Sequence, residues 1–164
     1  MTSAWPLIRV ISGGQTGADL AGLIAARRLG YQTVGTMPAH FQNECGQHPE
    51  YAEWYHVVAS GNYASRTWQN VVGSDGTLIV GRLDTPGCSL TAKICRQQKR
   101  PRMPIMFTDV PDDAAIPVIA CQVRSWIVAK QIRVLNVAGN RESTMPGIGA
   151  WTERLLMVAL ARSV

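Results

Sequence analysis

Residues 7–30 constrain this chain more than any other stretch. Leu7, Ile8, Val10 and Ile11 form a short apolar run with strand character, and Ser12-Gly13-Gly14-Gln15-Thr16-Gly17 is a glycine-rich turn. Leu20, Leu23, Ile24 and Arg27 then recur at the spacing of one helical face, closed by Leu29 and Gly30. Glycines at 13, 14 and 17 remove the β-carbons that would keep an anion away from the backbone N–H groups. The first turn of the following helix offers unpaired N–H groups and the positive end of its dipole. This order predicts a ligand site at the carboxyl edge of a parallel sheet. The loop lacks the Gly-Lys-Ser/Thr of a Walker A motif, and its glycine spacing is not G-x-G-x-x-G. A tight strand-to-helix turn with no ligand is the alternative reading of the loop alone.

Farther along, Tyr31–Val34 reads as a second strand, followed by a long irregular connection from Gly35 to Pro49. Connections of that length inside a compact domain are usually functional or mobile. Glu50–Val58 is ambiguous: Tyr51, Trp54 and Tyr55 suit a lid, a subunit contact or, more simply, ordinary packing. Tyr63–Gly73 reads as a helix, Gly76–Gly81 as a strongly apolar strand, Arg82–Cys88 as a Pro/Gly turn and Ser89–Gln98 as a helix. Met103–Phe107 is the next strand. Ala114–Lys130 is a longer helix with Ile119, Val123, Trp126 and Ile127 on one face. Arg133–Ala138 is the last strand, and a closing helix runs from about Ile148 to Ala161. Alternating strands and helices predict an α/β fold, a Rossmann-like doubly wound parallel sheet with helices on both faces, in a single domain spanning 1–164.

Composition narrows the function classes. A mean hydropathy of +0.01 with 46% hydrophobic residues fits a globular protein. No apolar run approaches the ~18 residues of a membrane span, and the first residues lack the pattern of a signal peptide. A cytoplasmic location is expected by default. The four cysteines contain no C-x-x-C pair, so neither a redox dithiol nor a zinc knuckle is supported. Cys45 and His48, even with His40 and His56 nearby, guarantee too few ligands for a metal centre, and none is expected there. Net charge is +5, and thirteen of the sixteen basic residues are arginine, the side chain suited to bidentate contact with phosphate or carboxylate. The Arg96–Arg102 cluster is the one local basic run, read as a solvated helix end. The charge distribution therefore argues against nucleic acid as a partner.

Three strand ends share a pattern of apolar strand, glycine with small polar residues or arginine, then helix. They are Ile11 into residues 12–17, Val80 into Thr85-Pro86-Gly87-Cys88-Ser89, and Ala138 into Gly139-Asn140-Arg141-Glu142-Ser143. In a parallel sheet these turns share one edge and can converge on a ligand. The N–H groups of Gly13, Gly14, Gln15, Thr16 and Gly17, and of Gly87, Cys88 and Ser89, would hold anionic oxygens. Arg66 or Arg141 would neutralise a phosphate, and Thr16, Thr67, Asn70, Ser89 and Thr91 would bond hydroxyls or ring edges. Gly139, Asn140 and Ser143 complete the third turn. Asp19, Asp75 and Glu142 are the carboxylates available for a hydroxyl or for acid–base work. Each has a plainer role: Asp19 as a helix-start charge, Asp75 as a turn residue, Glu142 in a pair with Arg141. No Ser/His/Asp or Cys/His arrangement is evident.

The run Ile11–Asp19, Arg66-Thr67 with Asn70, Ser74–Ile79, and Leu135–Ser143 with Pro146-Gly147-Ile148 together resemble the putative molybdenum carrier family over nearly the whole chain. That family is similar to molybdenum cofactor carriers and lies in the Rossmann-like SLOG superfamily, which also holds the Lonely Guy phosphoribohydrolases. The resemblance implies a homo-oligomer, dimer or tetramer, that binds the molybdenum cofactor or another phosphorylated nucleotide- or pterin-like small molecule. In the phosphoribohydrolases an arginine precedes a Ser-Asp by eight residues and a Pro-Gly-Gly-x-Gly-Thr-x-x-Glu motif follows. Arg66 stands at that interval before Ser74-Asp75, and Pro86-Gly87 opens the second motif. Ser89-Leu90-Thr91-Ala92 replaces its Thr-Leu-Glu-Glu, so the glutamates of glycosidic cleavage are missing while the phosphate cradle remains. Cys88-Ser89 also departs from the carrier family's more frequent Gly-Thr. The expectation is a non-catalytic binding protein. The rivals are a nucleotide hydrolase using Asp19, Asp75 or Glu142, and a nucleotide-sensing module.

Overall fold

The computed structural model describes residues 4–162. Eight strands and six α-helices form: β1 (Arg9–Ser12), α1 (Ala18–Arg28), β2 (Gln32–Met37), β3 (Gln42–Asn43), β4 (Gly46–Gln47), α2 (Glu50–Tyr55), β5 (Val57–Ala59), α3 (Tyr63–Val72), β6 (Gly76–Gly81), α4 (Pro86–Gln97), β7 (Arg102–Met106), α5 (Ile116–Ala129), β8 (Val134–Gly139) and α6 (Ile148–Ala159). Six strands make one parallel sheet in the order β5-β2-β1-β8-β6-β7, and β3 and β4 make a separate hairpin. The fold is the expected Rossmann-like α/β sheet. Its last strand, β8, lies in the middle, paired on one side with β1 and on the other with β6.

The helices separate by direction of travel. Connections moving toward β5 run through α1 and α5, which pack with α6; those moving toward β7 run through α3 and α4, which pack together. A right-handed crossover forces this division, since the two directions must use opposite faces. The larger core lies under α1, α5 and α6, where Leu78, Val80, Leu135 and Val137 meet Val123, Ile127, Trp151 and Leu155. A smaller cluster of Val71, Ile94 and Cys95 joins α3 to α4.

The buried face of α1 differs from the expected one. Ala18, Ala21, Gly22, Leu23, Ala25 and Ala26 face inward, Leu20 and Ile24 are half-buried, and Arg27 is exposed. The helix approaches β8 so closely that a β-carbon on Gly22 would lie 2.7 Å from Val137 Cβ, so small residues outcompete large ones there. Residues 35–49, read as irregular, contain the end of β2, a short 3-10 turn at Ala39–Phe41 and the β3–β4 hairpin. Tyr51 and Tyr55 are packed with Leu23, Met37 and Val57, whereas Trp54 stays largely exposed. α4 starts at Pro86, three residues before the expected start, because proline suits the first helical turn. Among the described residues no helix is long and apolar enough to cross a membrane.

Candidate functional site

β8 leads into α6 on one face of the sheet, and β6 leads into α4 on the other. The crevice between such strand ends is where open α/β sheets take ligands. A narrow cleft of about 20 Å³ opens there, lined by Gly13, Asp19, Tyr63, Arg66, Thr67, Asn70, Gly87, Thr91 and the end of β8 from Asn136 to Gly139. A wider hollow of about 330 Å³ shares Tyr63, Gly87 and Gly139 with it and continues over Thr85, Pro86, Cys88, Leu90, Asn140, Arg141 and Thr144.

α3 supplies the cationic wall. Asn62 caps the helix by accepting from the Ser65 N–H at 2.9 Å. Tyr63, Arg66, Thr67 and Asn70 then fall on one face at helical spacing. Arg66 is 4% exposed, and its Nη1 lies 3.3 Å from Asp19 Oδ2. Its guanidinium carbon is 4.3 Å from the centre of the Tyr63 ring, and Arg141 approaches the same ring at 5.3 Å. Arg66 Nε is buried and has no hydrogen-bond partner. A buried guanidinium N–H without an acceptor is costly unless a water or a ligand provides one.

Asp19, in the first turn of α1, holds this cation and also accepts the Gly139 N–H at 3.2 Å through Oδ1. Burial pushes its carboxyl above the ordinary carboxylate range, with Arg66, the Gly139 amide and Arg141 pulling against that rise. Opposite Arg66, the amino end of α4 opens on the cleft at Gly87. Thr85, at the cap position, turns its hydroxyl to Arg82 O instead of to the first amides of α4. Gly87, in the first turn of α4, lines both the cleft, with Arg66, and the hollow, with Arg141. Burial pushes the Cys88 thiol up, away from its reactive thiolate form.

The cleft gathers Gly13, Asp19, Arg66, Thr67, Asn70, Gly87, Thr91 and Gly139, and the hollow adds Cys88, Asn140 and Arg141. Several of these already have local partners. Asn70 binds Thr36 through both ends of its amide, at 2.8 and 3.0 Å, and Thr91 donates to Gly87 O at 2.9 Å. Asn140 is 2% exposed; its amide accepts from the Arg82 N–H and donates to Arg82 O, Thr85 Oγ1 and Cys88 Sγ. It laces the end of β8 to the loop after β6. Ser89 is exposed on α4.

The first glycine loop plays a different part from the one its sequence suggests. The Ala18 N–H, at the start of α1, donates to Asn140 O at 3.1 Å, so a backbone carbonyl sits where an anion was expected. Met37 packs against Gly14, and Gln15 is buried, donating to Gln42 O of the hairpin at 3.1 Å. Gly17 packs on Asn140 and Arg141, where any β-carbon would clash with backbone. Of this loop only Gly13 lines the cleft.

Two of the three candidate carboxylates leave the site. Asp75 precedes β6, so it sits at the opposite edge of the sheet, about 20 Å from the cleft at strand rise. Its Oδ2 accepts the Arg133 and Val134 N–H groups at 2.9 and 2.8 Å and fixes the start of β8. Glu142 accepts the N–H groups of Gly147 and Gly149 and so caps α6. Thr16 and Ser143 face the hairpin, where both contact Glu44. Tyr63 and Glu44 were not among the sequence candidates. Tyr63 was legible as the residue three before Arg66 on the same helical face; nothing local distinguishes Glu44. Among the described residues, no group of three His, Cys, Asp or Glu side chains comes together to hold a metal.

Comparison with known proteins agrees with this architecture. The crystal structure of a putative molybdenum carrier protein from Syntrophus aciditrophicus SB superposes with a TM-score of 0.85 at 36% identity, covering 95% of this chain and 96% of that one. No curated protein matches. Residues 10–160 match the circularly permutated YpsA SLOG family, and the chain belongs to that family.

Proposed function

We propose that this protein binds a phosphorylated nucleotide- or pterin-like ligand, with the molybdenum cofactor as the foremost candidate, in the cleft between α3, the amino end of α4 and the end of β8. The observation that carries the reading is Arg66: buried, oriented by Asp19 and Tyr63, and left with an unpartnered Nε in a residue that lines the cleft together with Gly87 of α4. A phosphate there supplies the missing acceptor and meets both guanidinium and helix N-terminus. The adjoining hollow takes the rest of the molecule, with the Arg141 plane and the Tyr63 ring offering stacking surfaces for a heterocycle. The carrier description of the similar crystal structure makes the molybdenum cofactor the first ligand to try. The protein is inferred to act in the cytoplasm as a homo-oligomer, for which exposed Trp54, Trp68, Val118 and Val158 offer apolar surface.

Thermal unfolding with the isolated cofactor and with nucleoside monophosphates tests the reading. A ligand at a hundred times its Kd adds about 2.7 kcal/mol, which raises Tm by about 5–10 °C for a chain of this size. Arg66→Gln is expected to remove the shift; a shift that survives it refutes the assignment.

A specific observation favours a second reading. Asp19 lines the cleft and its carboxyl is pushed up, as suits a proton donor to a leaving base. In that case the protein is a nucleotide hydrolase, and ribose 5-phosphate accumulates on incubation with nucleoside monophosphates. Ligand-induced stabilisation without product favours the binding protein.

A further inference from the structure

The β3–β4 hairpin is strapped across the first glycine loop by side chains from both sides. Gln15 Nε2 donates to Gln42 O at 3.1 Å, and Asn43 Nδ2 to Gly14 O at 3.4 Å. The third tie is ionic in character. Glu44 Oε1 accepts from Thr16 Oγ1 and from the Ser143 N–H, the latter at 3.1 Å, while Oε2 accepts from Ser143 Oγ. Thr16 Oγ1 accepts the Glu142 N–H at 3.2 Å, so its own proton is left for the carboxylate. One carboxylate thus collects three donors from the loops after β1 and β8. Such a donor set suits a tetrahedral oxyanion equally well.

Glu44 itself is exposed, at the tip of a two-residue-per-strand hairpin. It is held by these donors, and the nearby charge of Arg141, which also faces the Tyr63 ring in the hollow, helps to keep its carboxyl below the ordinary range. Arg141, two residues before Ser143, lines the hollow that adjoins the cleft.

We propose that Thr16 and Ser143 form an oxyanion subsite in which the carboxylate of Glu44 stands in for a phosphate-class group, so that the hairpin is an internal latch released when a phosphorylated ligand takes its place. A tethered carboxylate competes at an effective concentration of about millimolar. A free phosphate must exceed that, and removing the tether's charge must unmask the subsite. This goes beyond the cleft reading, which concerns Arg66 and α4.

Inorganic phosphate is the probe, titrated calorimetrically at constant ionic strength against the intact chain. Glu44→Ala is expected to bind it about tenfold more tightly than the wild type, the equivalent of one lost charge-assisted competitor. Glu44→Gln, which keeps the side-chain length, is expected to show a smaller gain. Ser143→Ala in the Glu44→Ala background abolishes the gain, whereas Arg66→Gln in that background keeps it. In the wild type, saturating phosphate speeds hydrogen exchange at the Cys45 amide, which donates to Asn43 Oδ1 in the closed hairpin, while the Ser143 amide stays protected. Equal phosphate affinity in wild type and Glu44→Ala overturns the proposal. So does a gain removed by Arg66→Gln and not by Ser143→Ala, a result that leaves the cleft reading standing.

Discussion

The guanidinium of Arg66 occupies the space that any side chain at Gly13 would need: a β-carbon on Gly13 would lie 1.5 Å from Nη1. Gly13 has no positive φ among the chain's left-handed residues, so its requirement is one of space. The glycine that the sequence offers as a backbone cradle for an anion serves here as the floor under a cation.

Gly13→Ala therefore acts as an indirect Arg66 variant. The methyl group displaces the guanidinium from Asp19, at an overpacking cost of about 1–3 kcal/mol in urea denaturation. Ligand-induced stabilisation is expected to disappear with it. A Gly13→Ala protein with wild-type stability and an intact ligand shift contradicts the packing described.

Asp19 predicts a pH dependence with an unusual sign for a carboxylate. Its folded pKa is raised above the unfolded value near 3.8, chiefly by burial. The folded state thus binds more protons in the window above that value, and stability falls as pH rises through the folded pKa. The difference in urea midpoint between wild type and Asp19→Asn isolates this group from all others. It is expected to shift against the wild type as pH rises from about 4, and a difference that is flat or moves the other way contradicts it.

Asn140 is a structural tie between β8 and the loop after β6. Asn140→Ala leaves the Arg82 N–H and O without their buried partner, at a cost of about 1–3 kcal/mol. Amide exchange is expected to quicken in residues 82–88 above the global effect, because that loop loses its anchor. Uniform exchange across the chain argues against the role.

Asp75 offers the opposite control. Asp75→Ala removes the acceptor for two amides at the start of β8 and is expected to cost about 1–3 kcal/mol. The thermal shift produced by ligand stays at its wild-type size, since the residue lies at the far edge of the sheet. A loss of ligand response in Asp75→Ala at temperatures where it remains folded places a functional group at the wrong end of the molecule.

Much of the architecture was readable from one dimension. Gly76–Gly81 and Tyr63–Val72 form almost as periodicity and punctuation predict, because an all-apolar run and an Asn-capped helix are decided by neighbours a few residues away. The order of elements dictated a parallel sheet, and a parallel sheet puts the turns after β1, β6 and β8 on one edge. Gly87, Gly139 and Arg141 were read as candidates from those turns, and Arg66 from its type and its interval before Ser74-Asp75; the structure brings all four to the cleft and the adjoining hollow.

Other assignments turned on partners far away in sequence. The inward face of α1 depends on how near β8 comes, which makes Gly22 and the alanines core residues in place of Ile24. Whether a glycine loop is open to a ligand depends on what else packs on it: here Asn140 O takes the Ala18 N–H, Met37 lies against Gly14 and the hairpin holds the Gln15 side chain. Asp19 and Asp75 look alike as acidic residues near an element's start, yet one faces Arg66 and the other lies at the opposite sheet edge. The sequence alone determined the local elements and the edge on which the turns lie, since hydrophobic period, caps and strand direction are short-range properties. Only the tertiary structure decided which turn stays open and which carboxylate meets a cation, because those outcomes depend on close packing between segments that chain order does not place side by side.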